Sequence, residues 1–189
     1  MFEKGLLAGK RILVTGGGSG LGAAMGHRFV ELGAELIICG RRLEVLEATA
    51  LRMRGEPGAR VGVICCDIRD SAAVDAMMEE IWREAPIDVL VNNAAATFIA
   101  QTEHLSPRAA DAILAPTLHG TMYCTLAAGR RWIDGRHKGV VLSILSTSTI
   151  TGRAFTVPSA MAKSAVLAMT RSLAVEWGCL LYTSDAADE

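Results

Sequence analysis

What this chain of 189 residues lacks narrows its class first. It has no uninterrupted apolar run of membrane-spanning length, although 51% of its residues are hydrophobic. It has no excess of charge: 19 Lys and Arg stand against 20 Asp and Glu, a net charge of -1. Neither nucleic acid nor a membrane surface is therefore an expected partner. None of the five cysteines stands in a C-x-x-C pair, and His27, His104, His119 and His137 show no metal-ligand spacing, so no metal site is expected. Cys39, Cys65, Cys66, Cys124 and Cys179 fall mostly in apolar runs and read as buried, reduced thiols. Residues 1–7 lack the long apolar core of a secretory leader, and the expected location is cytoplasmic. Aromatic residues make up 5%, and tyrosine occurs only at 123 and 182.

What is present is organised around residues 11–22. An apolar run at 12–14 reads as a buried strand and leads through Thr15 into Gly16, Gly17, Gly18, Gly20 and Gly22. Leu21, Met25, Phe29 and Leu32 then recur at helical spacing. Strand, glycine turn and helix together make a dinucleotide site. Glycines let the backbone approach a pyrophosphate, and the amides and dipole of the helix start face its charge. Thr15, Gly16, Ser19, Gly20, Leu21 and Gly22 are the candidate contacts.

Further apolar runs at 35–39, 61–66, 87–91 and 139–145 read as strands, separated by helical patterns. The helix-forming stretch 106–134 is interrupted at Pro116, and a last helix covers about 159–177. Regular alternation of strand and helix means βαβ units. The expected fold is α/β: a Rossmann-type, doubly wound parallel sheet in three α/β/α layers, in one domain over residues 1–178. Thr15, Arg41, Asp67, Asn92 and Ser146 fall at strand carboxyl ends, where such sheets bind ligands.

The residue about twenty positions past the glycine turn separates NAD from NADP. The second strand ends at Gly40 without a carboxylate, and Arg41 and Arg42 follow. Two guanidinium groups suit the 2′-phosphate of NADP. The plainer alternative is a solvated basic helix start.

Thr15-Gly-x-x-x-Gly-x-Gly22, Asp67 and Asn92-Asn93-Ala94-Ala95 together resemble the short-chain dehydrogenase/reductase family, over about residues 8–178. The resemblance implies hydride transfer with a nicotinamide. It puts Asp67 and Ile68 at the adenine, and Asn93, Ala94 and Ala95 along the path to the nicotinamide ribose. The family's usual Tyr-x-x-x-Lys is Ser159-Ala-Met-Ala-Lys163 here, with the lysine present and the tyrosine absent. Residues 157–163, 172–178 and 92–99 are similar to the 2,4-dienoyl-CoA reductase branch, which also carries serine at that place. That likeness implies NADPH-dependent reduction of a dienoyl-CoA in fatty-acid β-oxidation, an acyl-CoA substrate, and a homotetrameric parent. It makes Lys163 the ribose contact and Arg69 and Phe98 substrate contacts.

The general acid stays unassigned. In mitochondrial-type members of the branch a tyrosine after the fifth strand gives the proton, and Ser148 stands at that position here. In peroxisomal-type members an acid from the helix after strand four serves, and Thr117 stands there, with His119 nearby. Ser148 and Ser159 can only relay a proton through water. Two alternatives follow: a carbonyl or 3-oxoacyl reductase of the same family, or an NADP-binding protein without catalysis.

Residues 179–189 resemble a translated sequencing adapter, and are expected to be a non-native tail replacing the family's further strand and substrate lobe. On that reading the sheet is incomplete, one edge is raw, and the chain by itself is poorly soluble and little active.

Overall fold

The computed structural model describes residues 2–181. The strands are β1 (Arg11–Thr15), β2 (Glu35–Gly40), β3 (Arg60–Cys65), β4 (Val89–Asn92) and β5 (Val140–Ser143). They form one parallel sheet in the order β3-β2-β1-β4-β5. The helices are α1 (Gly20–Glu31), α2 (Leu43–Met53), α3 (Ser71–Glu84), α4 (Pro107–Leu114), α5 (Gly120–Gly135), α6 (Ser148–Thr151) and α7 (Val157–Leu181). The expected three-layer Rossmann-type architecture is present.

Two cores build the layers, and the period-two alternation of the strands assigns residues to them. Ile12 and Val14 of β1 join Leu36, Ile38 and Val91 beneath α1 and α2, where Val30, Leu46, Ala50 and Met53 meet them. Leu13, Ile37, Cys39 and Leu90 face the other way, onto Met77, Met78 and Ile81 of α3 and Cys124, Ala128 and Trp132 of α5. Trp132 is fully buried and its indole N–H donates to Ile87 O at 2.6 Å. At the amino ends of the strands, buried Arg11 donates to the last carbonyls of α3, Ile81 O and Ala85 O, and pairs with Glu35 and Glu84.

Four local findings differ from the sequence reading. Pro116 does not break its helix. Ala115–His119 form one π-helical turn that joins α4 to α5, absorbing the missing N–H in a wider ring. The Ser/Thr-rich segment after β5 is the short helix α6 rather than a plain turn. The final helix begins earlier, with Pro158 in its first turn, where no N–H is needed. Its backbone continues through residues 179–181, and the rest of the proposed tail lies outside the described residues. β5 is the outer strand, with Val140 and Leu142 half exposed.

Of the cysteines, Cys39, Cys66 and Cys124 are buried as free thiols, whereas Cys65 is exposed at the end of β3. His27 lies 3.3 Å from Glu31 and 3.8 Å from Glu56 in a surface cluster that also holds Arg28. Single-sequence spacing does not reveal this cluster, because Glu56 comes from the far end of α2. No helix among the described residues is long and apolar enough to cross a membrane.

Burial pushes the thiols of Cys39 and Cys124 well above their usual 9.0, and that of Cys66 up to about 11. The folded chain keeps these protons at a pH where the unfolded chain sheds them. Their contribution to stability is complete below pH 9.0 and is lost as the pH rises above it, at up to about 1.4 kcal/mol per pH unit for each thiol. Thermal melts between pH 8 and 11 test this (an interval set by about 1.5 units around the thiol range). The melting temperature should fall above pH 9.0, and less steeply in Cys124→Ala. Equal slopes for the two proteins would remove the thiols as the cause.

Candidate active site

The strand order reverses between β1 and β4, and the crevice opens beyond their carboxyl ends. Two side chains bind these ends together. Thr15 is buried, and its hydroxyl accepts the backbone N–H of Asn93 and of Ala94, each at 3.1 Å. The Asn93 side-chain amide donates back to Thr15 O at 2.9 Å and to Gly16 O at 3.3 Å. Asn93 was expected along the path to the nicotinamide ribose. Its side-chain amide is spent on the glycine turn, which it shapes from beneath.

The turn leaves no room for side chains. Gly16 has φ +67, and a Cβ there would lie 3.0 Å from Ala94 Cα. A Cβ on Gly22 would come within 2.5 Å of Asn93 Nδ2 and closer still to Gly16 O. Gly16 N–H and Gly17 N–H donate to Cys39 O on β2 and fix the turn laterally. Ser19 takes the N-cap position of α1 with an extended backbone, yet its hydroxyl caps nothing, and the first turn carries no acid. Gly20 opens onto free space, and Leu21 is 68% exposed. Free amides, a positive helix end and an uncommitted hydroxyl fit a pyrophosphate.

A cavity of about 120 Å³ continues from this cradle, lined by Gly16, Gly40, Arg41, Asp67, Ile68 and Ala94 among others. Its one carboxylate is already engaged. Arg69 donates to Asp67 through Nε at 2.9 Å and through its terminal nitrogen at 2.5 Å. That hydrogen-bonded guanidinium, with Arg41 further off, holds the Asp67 carboxyl below its usual range. Arg41 and Arg42 form no ion pair among the described residues, and Arg42 holds the N-cap position of α2 without a side-chain capping bond. Arg69, expected at the substrate side, thus lies on Asp67 beside the smaller cavity.

A second cavity of about 240 Å³ shares Ala95 and Ala96 with the first. It gathers Ser148, Ser159 and Lys163 as the sequence suggested, and adds Thr97, Arg153 and Thr156. Lys163 is 7% exposed, and its amine donates to Ile144 O, leaving further donors free. Burial pulls the pKa of Lys163 below its usual 10.5. Ser159 precedes it by one turn of α7, on the same face. Ser148 Oγ lies 2.9 Å from Ser146 Oγ. Thr117 is fully buried and clamps the shared wall: its hydroxyl accepts Ala96 N–H at 3.0 Å and donates to Ala96 O at 3.3 Å. Among the described residues, no phenol and no carboxyl lines this cavity. Tyr123 stacks on the exposed ring of His119, with centroids 6.3 Å apart, and neither lines it. Phe98 is 40% exposed, outside its wall. Arg153 and Thr156 carry no motif; their one signal is position, in the segment between the two candidate serines.

Known proteins agree with this geometry. The family model for short chain dehydrogenases matches residues 10–179. The chain belongs to the short-chain dehydrogenase family, whose members use a nicotinamide cofactor, NAD or NADP. Among its relatives is a probable 2,4-dienoyl-CoA reductase of Bacillus subtilis, 41% identical over 170 residues, which cover 89% of this chain and 66% of that protein. A probable 2,4-dienoyl-CoA reductase 3 of Caenorhabditis elegans is 42% identical over 94% of this chain and 58% of its own length. The chain thus spans between about half and two thirds of the length of these curated relatives. Among solved structures, a short chain dehydrogenase from Bacillus anthracis superposes with a TM-score of 0.86 at 38% identity, over 89% of this chain and 70% of that one.

Thr15→Val should expose the dependence of the site on its hydroxyl, because two N–H groups lose their acceptor. At about 1–3 kcal/mol for each orphaned donor, the expected loss in a denaturant titration is about 2–6 kcal/mol. Thr15→Ser should keep most of it. A loss below about 0.5 kcal/mol, the range of an inert surface change, would show that these bonds do not hold the crevice together.

Proposed function

We propose that the protein is an NADPH-dependent oxidoreductase that reduces a 2,4-dienoyl-CoA. The observation that supports this most is the pair of adjoining cavities, with free arginines at one end and buried Lys163 beside Ser159 at the other. Thr15, Gly16, Ser19, Gly20, Leu21 and Gly22 hold the pyrophosphate. Arg41 and Arg42 take the 2′-phosphate, where an NAD site would use an acid and β2 instead ends in Gly40. Asp67, neutralised by Arg69, and Ile68 flank the adenine; Ala94, Ala95 and Lys163 meet the nicotinamide ribose. Residues 1–178 are then one NADP-binding domain.

A bound reduced nicotinamide supplies the hydride to the far carbon of the conjugated diene. The displaced electron pair moves toward the thioester oxygen, and a proton added beside the thioester completes the enoyl-CoA. The chain orients the reactants through the Ala95–Ala96 wall that Thr117 clamps. The Ser146–Ser148 hydroxyl pair passes the proton in from water. Phe98 remains a candidate for the outer part of the acyl-CoA, whereas Arg69 is committed to Asp67. The names of the B. subtilis and C. elegans relatives favour the same substrate.

A second reading, an NADP-binding protein without catalysis, is favoured by the absence, among the described residues, of a phenol beside Lys163. One assay separates the two. The full-length protein should consume NADPH, and NADH at least tenfold more slowly (about 1.4 kcal/mol), when given 2,4-hexadienoyl-CoA. If turnover appears only in Ser148→Tyr, the protein binds NADP without catalysing.

A further inference from the structure

Seven polar side chains line the cavity of about 240 Å³: two cations, Arg153 and Lys163, and five hydroxyls, Thr97, Ser146, Ser148, Thr156 and Ser159. Among the described residues no carboxylate lines it and none pairs with Arg153. Lys163 is partly committed to Ile144 O at the buried side. The Arg153 guanidinium, on the exposed side, makes no hydrogen bond among the described residues. Its backbone is held all the same: Thr156 Oγ1 donates to Arg153 O at 3.1 Å. Two residues later, Phe155 adopts φ +64, a costly conformation for a side chain of that size, and accepts a bond from Ala100 N–H at 3.1 Å. Strain of that kind persists where surrounding bonds enforce it, and here those bonds fix the loop that carries Arg153.

We infer that Arg153 is the group that holds the negative charge developing on the thioester oxygen of the substrate, making this cavity an oxyanion site for a thioester enolate. The inference rests on the acyl-CoA reading above. When the diene accepts a hydride, its electron pair moves to the thioester oxygen and stays until carbon is protonated. With no phenol or carboxyl to deliver that proton at once, the charge needs a fixed partner. A guanidinium suits this role and no other acid–base role, because it presents five donors and does not release its proton. It lines the cavity from the exposed side with its donors unspent among the described residues, and donors already in place are what stabilise a developing negative charge. Arg153 comes from the segment that also brings Ser148 and Ser159, so charge and proton relay converge on one oxygen–carbon unit.

The test is calorimetric titration of the full-length protein saturated with NADP+, where no reduction can occur. The probes are acetoacetyl-CoA, whose enolate carries the charge, and butyryl-CoA, which carries none on its acyl group. In Arg153→Met, acetoacetyl-CoA affinity should fall about tenfold or more, about 1.4 kcal/mol, and butyryl-CoA affinity less than about twofold. Arg153→Lys should fall between, and the enolate absorbance seen with wild type should fade in Arg153→Met. Unchanged NADP+ affinity confirms that the variant is folded. Equal weakening of both probes, no weakening of either, or failure of wild type to bind acetoacetyl-CoA would overturn the inference. If the discrimination is present but 2,4-hexadienoyl-CoA is not reduced, the oxyanion site stands and only the substrate reading falls.

Discussion

Thr15 and Asn93 fasten the ends of β1 and β4 to each other, and the rest of the site is placed by that bond set. A parallel sheet presents unpaired backbone groups wherever two strands end beside a crevice. Here one hydroxyl accepts two of those N–H groups and one amide satisfies two of the carbonyls. With the ends so joined, the glycine turn can run within contact distance of Ala94, and of the buried side-chain polar atoms at this strand end only Asn92 Oδ1 is left without a partner among the described residues. The floor of the cofactor cradle is thus a small, saturated hydrogen-bond network rather than a flexible loop.

Charge is distributed to match. The chain is close to neutral overall, yet the crevice is locally positive at both ends. Arg41 lines the cavity beside the glycine turn, with Arg42 next to it in the chain, and Lys163 with Arg153 lines the other. The one carboxylate in between, Asp67, is already paired with Arg69. An anionic ligand meets this field favourably, and the burial of Lys163 away from solvent strengthens it. Buried Thr117 adds rigidity where the two cavities share a wall, holding both polar groups of Ala96.

The parts legible in the sequence were those fixed by backbone chemistry and periodicity. Glycines at 16, 20 and 22 flanked by a strand and a helix have few other uses, and the alternating apolar runs located all five strands to within a few residues. The gathering of Ser148, Ser159 and Lys163 followed from the family resemblance, with helical spacing putting Ser159 and Lys163 on one face. Side-chain partnerships were not legible. Nothing in the order of residues says that Arg69 turns onto Asp67 two positions back, or that the Asn93 amide points into the turn. Each is a choice between competing partners that only the packed structure decides. Pro116 was read as a break because proline forbids an ordinary helical bond; the π turn that accommodates it depends on neighbours from α4 and α7. Arg153 gave no signal, since a lone arginine in a loop has no period and no motif.

The central claim is that this crevice is built for a dinucleotide bearing a 2′-phosphate. The direct measurement is calorimetric titration of the protein with NADP+ and with NAD+, repeated in the Arg41→Ala/Arg42→Ala variant. The account expects NADP+ to bind wild type at least tenfold more tightly than NAD+, about 1.4 kcal/mol or more, and the variant to lose that preference with little change for NAD+. Equal affinity for the two cofactors in wild type, or a preference that survives loss of both arginines, would contradict it.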